Sequence, residues 1–412
     1  MTTRPEADAN SAHPFPDFPH PRSSACPFGV SPEMRALRDR GAVSRVRSWG
    51  GSTPWVVTSH AEQKALLADP RLSADFSHPG FPSPVDPEKA GRGRRDMSFV
   101  GMDDPEHARL RRMVSGVFTV KRMRALRPVV QKMTDDFIDS MLAGPRPADL
   151  VQALALPLPS LVISRLLGVP YEDHEFFQTN SRTIVSSVAT AEARSTAHTN
   201  LAGYLDDLVA RKTTDPGDDL LTQLGERVGA GELTRQQAAS MGVLLLLGGH
   251  ETTANMITLG TLLLLEHPGQ LAAIREADDP KVIADAVEEL LRYPSIVHLG
   301  RRRTALEDID IAGETIRAGE GVILLSELAN RDPSAFPDPD TLDLTRDARS
   351  HLAFGAGTHH CVGQPLARME LQILYPTLFC RVPTLRTAVE TDQVPFKHDA
   401  VIYGVHELPV TW

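Results

Sequence analysis

Cysteine is scarce: Cys26, Cys361 and Cys380 are the only three in 412 residues, too few for a disulfide framework, so a reducing compartment is expected. A basic excess is missing as well. With 43 Lys and Arg against 53 Asp and Glu, the formal net charge is -10, which argues against a general nucleic-acid binder, because phosphate contacts need a basic surface. The first thirty residues hold no apolar run that would serve as a signal core or membrane anchor; five charged groups and six prolines interrupt them. A cytoplasmic protein without membrane contact is expected, with residues 1–30 as a flexible, proline-rich lead and 31–412 as a single domain. Internal repeats, an interdomain linker and a flavin or nicotinamide fingerprint are also lacking.

What is present is an ordinary globular composition, 41% hydrophobic and 23% charged, with helical periodicity dominating residues 105 to 295. The clearest helical segments are 126–142, 197–211, 236–265 and 280–293. Short β signals sit at 44–46 and 55–58, and again over 309–323, where Ala312-Gly313-Glu314 reads as a turn between two strands. The fold class is therefore mainly α with small β-sheets. The aperiodic stretch 76–101, rich in Pro, Gly and Arg, reads as a long functional loop.

The most hydrophobic stretch, 241–265, is long enough for a membrane span but is broken by Gly248-Gly249-His250-Glu251-Thr252-Thr253. A charge at the bilayer centre costs about 2.5 to 3.5 kcal/mol, so a long buried central helix is the better assignment. Two adjacent glycines cost roughly 1 kcal/mol each in a helix, which asks for a compensating use. A simple kink is the bland alternative.

Cys361 stands apart from the other two cysteines, which read as small buried hydrophobes. It follows Phe354, Gly355, Ala356, Gly357, Thr358, His359 and His360, and precedes Val362, Gly363, Gln364 and Pro365. Pro365 suits a first helical turn, so the sulfur lies near the positive end of a helix dipole, which favours the thiolate a metal requires. The glycines would let backbone N–H groups approach the sulfur and a flat ligand approach the backbone. Six fixed matches (Phe354, Gly355, Gly357, His359, Cys361, Gly363) at roughly 7% each would coincide at about one start point in ten million.

At these residues the chain resembles the cytochrome P-450 superfamily of heme-thiolate monooxygenases, most closely the soluble bacterial type, and the likeness spans nearly the whole sequence. The resemblance implies a single-domain fold with a long central helix over heme b and Cys361 as the iron ligand, its thiolate assisting O–O cleavage. It assigns His107, Arg111, Arg303 and His359 to the heme propionates, and Gly248, Phe354, Gly355 and Gly363 to the heme surroundings. Glu251 and Thr252 become the acid and alcohol of an oxygen-binding groove. Glu289 and Arg292, otherwise an ordinary i,i+3 pair, become a structural brace with Arg346.

The resemblance further implies that one atom of O2 enters a small organic substrate, by hydroxylation or epoxidation, with electrons from a ferredoxin and its NAD(P)H-dependent reductase. Arg109 and Arg112 are candidates for the docking face, and a monomer is expected. Segments 76–101, 170–193, 295–299 and 397–403 and the start of the central helix are the expected substrate contacts. If Thr252 faces the heme, helical spacing puts Met241, Leu244, Leu245 and Gly248 on or near the same face, an apolar wall for a sizeable, mostly apolar molecule. Arg92, Arg94, Arg95 and His298 are candidate polar contacts. Two alternatives share the Cys361 loop: a peroxide-driven or nitric-oxide-reducing enzyme, against which the Glu251-Thr252 pair speaks, and a non-catalytic heme sensor, for which no attached output domain is visible.

Overall fold

The periodic segments fold as helices and the β signals as small sheets in a computed structural model that describes residues 14–23, 26–48, 51–82, 98–185, 189–398 and 400–412. Most of the described chain is helical. The central helix runs unbroken over Arg235–Glu266. It starts at a capping box, in which the Thr234 hydroxyl accepts from the Gln237 N–H at 3.1 Å and the Gln237 side chain accepts from the Thr234 N–H at 2.9 Å. Pro268 opens the next helix, Pro268–Arg275. From Ala254 to Leu264 every residue is buried, because helices pack around the whole circumference. No helix among the described residues is long and apolar enough to cross a membrane.

The two glycines have different uses. A Cβ on Gly249 would come within 3.1 Å of Ile163 on the helix Pro157–Leu167, so this glycine permits a close helix crossing. A Cβ on Gly248 would meet nothing within 4 Å. The central helix is therefore packed on one side of this dipeptide and open on the other.

The helix Pro280–Arg292 buries Ile283, Ala286, Val287, Leu290 and Leu291 in an i, i+3, i+4 pattern, and Asp279 caps it by accepting from the Lys281 N–H at 2.8 Å. The helix Gln364–Arg381 follows the Cys361 loop, with Pro365 in its first turn. Beside the helical body lies a five-stranded sheet ordered Val43–Arg45, Trp55–Val57, Gly321–Leu324, Arg301–Ala305, Leu72–Ser73. Strands from opposite ends of the chain meet in it: Trp55 to Val57 pair in parallel with Val322 to Leu324. The expected turn is a two-residue hairpin joining Ile309–Ile311 to Glu314–Ile316, with Ala312 and Gly313 both at positive φ.

Two expectations need correction. The lead is not loose from residue 14 onward. Phe18 and Val30 pack with Met34 and Leu37 under the sheet, Phe18 N–H donates to the Arg47 carbonyl at 2.8 Å, and Asp17 pairs with Arg47 at 2.5 Å. Composition misled here, because the apolar anchors are single residues between prolines. Cys26 and Cys380 are exposed, not buried; Cys380 falls on the outer face of the last turn of its helix.

The glycine pair gives a paired expectation for urea unfolding. Gly248→Ala should raise stability by up to about 1 kcal/mol, the helix-propensity gain in open space. Gly249→Val should lower it by about 1 to 3 kcal/mol, because the larger side chain must displace Ile163.

Candidate functional site

The loop carrying Cys361 is set by its surroundings on every side. The Cys361 N–H donates to the Phe354 carbonyl at 3.0 Å, closing the loop on itself. Gly355 and Gly357 are left-handed, at φ +74° and +67°. Here the structure departs from the sequence expectation: the space beside Gly357 is taken by the backbone of Leu67 and Ala68, and that beside Gly355 by the Arg301 guanidinium. Those two glycines admit other parts of this protein. Gly363 is roomier, its nearest neighbour being the Phe118 ring at 3.9 Å from a built Cβ. Phe354 is held under the Arg368 guanidinium at 4.6 Å.

The sulfur sits deep in the protein, but its face is open and not packed against side chains. Burial pushes the thiol up from its ordinary value, opposed by the N–H groups of Gly363 and Gln364 at the helix start and by the Arg301 and Arg111 guanidiniums. These donors favour a sulfur carrying negative charge. Arg111 also donates to the carbonyl of His360. Arg301, not singled out by the sequence reading, donates to the Ser326 hydroxyl and, at 2.7 Å, to the Ala353 carbonyl. Alternation along its strand puts Arg301 and Arg303 on one side, a signal that was present in the run Arg301-Arg302-Arg303.

His107, Arg111, Arg303 and His359 come together around this loop. The His107 and His359 rings lie 4.1 Å apart between centroids, tilted by 31°. Burial, together with Arg303, His107 and Arg111, pushes His359 down to about 3, so it is neutral at physiological pH. Burial likewise pushes Arg303 down to about 10. His107 is bonded at Nδ1 to Asp104, 2.9 Å away, while its Nε2 is buried without a hydrogen-bond partner. Guanidiniums and imidazole N–H groups of this kind are the donors that the two propionates of a heme require, and the open face of Cys361 offers a sulfur that would hold its iron. The residues present fit the group.

The acid and the alcohol of the central helix point in different directions. The Thr252 hydroxyl donates to the Gly248 carbonyl at 2.6 Å on the open side of the helix, where Gly248 is exposed and Leu244 partly so. Met241 and Leu245 are buried in the core, so the expected apolar wall is narrower than helical spacing alone implies. Glu251 is buried and accepts from Lys397 Nζ at 2.6 Å and from Asn255 at 3.3 Å. Lys397, from a loop near the C-terminus, was not assigned to this acid, and its neighbours carry no local pattern to mark it.

Glu289 and Arg292 are both 0% exposed and bond through a double fork, Nε to Oε2 at 2.7 Å and Nη2 to Oε1 at 2.8 Å. Arg346 Nε reaches Glu289 Oε1 at 3.3 Å, and the Asp343 N–H donates to the same oxygen at 3.0 Å. Arg292 also donates to the Asn330 carbonyl at 2.7 Å, while the Asn330 side chain accepts from the Leu352 N–H at 2.7 Å, just ahead of the Cys361 loop. The neighbouring Glu288 holds Arg368 at 2.5 Å on one flank of the loop and lies 3.2 Å from His351 on the other, off the hydrogen-bond axis. The adjacent acids Glu288 and Glu289 were the available signal for this second brace. His298 is no substrate contact: Glu327 lies 3.0 Å from its Nδ1 and the His20 carbonyl 3.0 Å from its Nε2. Arg92, Arg94 and Arg95 lie outside the described residues.

A family model described as cytochrome P450 matches residues 190–381. The chain is 52% identical over 414 residues to cytochrome P450 GfsF of Streptomyces halstedii, covering 100% of this chain and 99% of that one. It is 47% identical to the vitamin D3 dihydroxylase of Streptomyces griseolus, covering 96% and 97%. Among solved structures, that of GfsF superimposes with a TM-score of 0.91, covering 96% of this chain and 100% of that chain. The mycinamicin VIII C21 methyl hydroxylase MycCI of Micromonospora griseorubida, solved with mycinamicin VIII bound, gives 0.89 at 41% identity, covering 97% and 100%.

Although burial opposes it, pairing with His351 and Arg368 holds Glu288 down at about 2 against an ordinary 4.5. Because the folded-state value is depressed, the stabilisation is full above 4.5 and is lost as pH falls toward about 2. Glu288→Gln should lower stability at neutral pH by about 2 kcal/mol and flatten the acid limb of a stability-against-pH curve in that window; an unchanged limb would assign the acid sensitivity to other carboxylates.

Proposed function

Because the chain belongs to the cytochrome P450 family, we propose that it is a monooxygenase that places one atom of O2 into a sizeable, mostly apolar organic substrate, by hydroxylation or epoxidation. Its electrons come from a ferredoxin and an NAD(P)H-dependent ferredoxin reductase. The observation that carries this reading is the Thr252 hydroxyl, poised on Gly248 at the open side of an otherwise buried helix. A heme sensor has no use for an alcohol in that position. Substrate size is read from the open strip at Leu244 and Gly248 and from the bulky compounds named for the relatives.

Cys361 would hold the heme iron, and Arg111, Arg303, His107 and His359 would hold its propionates. When bound, the heme supplies dioxygen activation, in which two electrons and two protons accompany transfer of one oxygen atom to carbon and release of the other as water. The chain's own part is to hold the thiolate in a field of N–H groups and guanidiniums and to move protons at one point. Thr252 Oγ1 donates to a backbone carbonyl, a bond that a rotation about χ1 exchanges for one toward the open side. Glu251 is ion-paired with the partly exposed Lys397 at 2.6 Å and must leave that pair to relay a proton. On the docking face Arg112 is exposed, while Arg109 is neutralised by Glu106 at 2.6 Å. Arg112 is therefore the stronger of the two candidates for steering an acidic ferredoxin.

Reduced protein under carbon monoxide should show the red-shifted band of a thiolate-ligated heme, and Cys361→Ala should abolish it; a band that survives the substitution would sink the assignment. Turnover should require O2, ferredoxin, reductase and NAD(P)H, and peroxide alone should not replace them. In Thr252→Ala, reducing equivalents should still be consumed, but a larger share should be recovered as hydrogen peroxide, with product per NAD(P)H falling by about tenfold or more. Unchanged coupling would move the proton-delivering group elsewhere.

A further inference from the structure

A heavily bonded, buried charged side chain outside the site described above belongs to the segment composition had marked as a loose lead. Arg22 is buried at 5% exposure. Its Nη1 donates to the Pro294 carbonyl at 2.8 Å and its Nη2 to the Ser295 carbonyl at 2.6 Å. The same Nη2 lies 3.3 Å from Glu327, and Nε reaches His298 Nδ1 at 3.4 Å. The guanidinium carbon lies 4.1 Å over the Tyr403 ring, and the Arg22 N–H donates to the His398 carbonyl at 3.0 Å. One residue thus bonds two separate stretches, 294–298 and 398–403.

Those stretches also bond each other. Val297 and Ile402 form an antiparallel bridge, His298 N–H donates to the Val401 carbonyl at 3.1 Å, and Tyr403 N–H to the Ile296 carbonyl at 2.7 Å. The residues on either side of the second stretch meet the central helix near Thr252: Lys397 bonds Glu251 and Asn255, and a Cβ on Gly404 would overlap the Asn255 side chain. Ser295 is held at φ 42°, a conformation that a non-glycine residue keeps only where its surroundings fix it. Arg22 on its carbonyl, and Asn330 on its hydroxyl at 2.8 Å, do that fixing. The lead has a second anchor, the Phe28 carbonyl accepting from Arg331 at 2.8 Å.

We infer that Arg22 is a specificity-determining clamp: from the N-terminal segment it locks the 294–298 and 398–403 stretches together and so sets how closely they approach the open strip at Gly248 and Thr252, where the organic substrate would sit. This rests on the monooxygenase reading above for what occupies that strip. The bidentate hold on two successive carbonyls, with a ring stacked on the same guanidinium, is suited to fixing loop geometry, because a planar fork accepts one orientation only. Residues of the two stretches would then select by contact, and Arg22 by holding them in register.

The test uses holoenzyme and two iron-binding azoles of different size, imidazole and clotrimazole, in spectral titrations of the wild type and Arg22→Gln. The clamp predicts that the ratio of the two dissociation constants changes by about tenfold, the equivalent of one lost charged hydrogen bond, with imidazole affinity and the carbon monoxide band unchanged. Amide exchange should rise in both 294–298 and 398–403, by about tenfold, and stay constant in 354–363. An unchanged ratio, or exchange that rises in one stretch only, overturns the clamp. Absence of the thiolate band in the wild type would overturn the monooxygenase reading instead. Should Arg22→Gln not fold, Arg22→Lys keeps the charge and loses the fork, and must shift the same ratio in the same direction.

Discussion

Everything around Cys361 leans on one buried carboxylate. Glu289 has no exposed surface and is held by Arg292, Arg346 and the Asp343 N–H. A charge in that position is tolerable only when its oxygens are paired and bonded, and removing a partner from such a pair costs about 3 to 5 kcal/mol. The geometry is therefore unforgiving. Arg292, pinned by Glu289, fixes the Asn330 carbonyl; Asn330 fixes Leu352; and the loop that presents the sulfur starts there. Glu288, one residue away, grips both flanks of the same loop through His351 and Arg368. A loop with left-handed glycines and little regular structure keeps one shape because two adjacent acids on a rigid helix hold it.

The central helix solves a different problem. It must be buried over most of its length to serve as a scaffold and still present an open strip. Adjacent glycines achieve both, one by letting Ile163 approach and the other by leaving its own side empty. Thr252 lies one turn on from the open glycine and bonds its carbonyl. Glu251 turns into the protein toward Lys397. Acid and alcohol, neighbours in sequence, thus sit in two electrical environments, one ion-paired and one facing open space.

Much of this was legible in the residues and some was not. The Cys361 loop, the Glu289 and Arg292 pair and the broken apolar run of the central helix carry local patterns, because their chemistry demands fixed spacing. The hairpin at Ala312-Gly313 was readable for the same reason, as its turn requires positive φ. The roles of Lys397, Asn330, Arg301 and Arg22 depend on partners far along the chain, and single residues in loops advertise nothing. Arg22 was hidden by its setting, since prolines on either side look like disorder to a compositional eye. The expectation for His298 failed because its ring nitrogens are taken up by Glu327 and by the backbone of a segment that seemed unattached.

The sheet has a kinetic meaning beyond its shape. The strand at Trp55 pairs with one at Val322, and Phe28 is bonded by Arg331 across 303 positions of sequence. Contacts of such range are closed late, after most of the loop entropy between them has been surrendered. During synthesis the strands at Val43 and Trp55 can pair with each other, but those at Trp55 and Leu72 emerge long before their partners at Val322 and Ala305, so the sheet stays unfinished until more than three quarters of the 412 residues have been made. The Cys361 loop is made later still. A chain stalled or truncated before that point has neither a finished sheet nor the Cys361 loop.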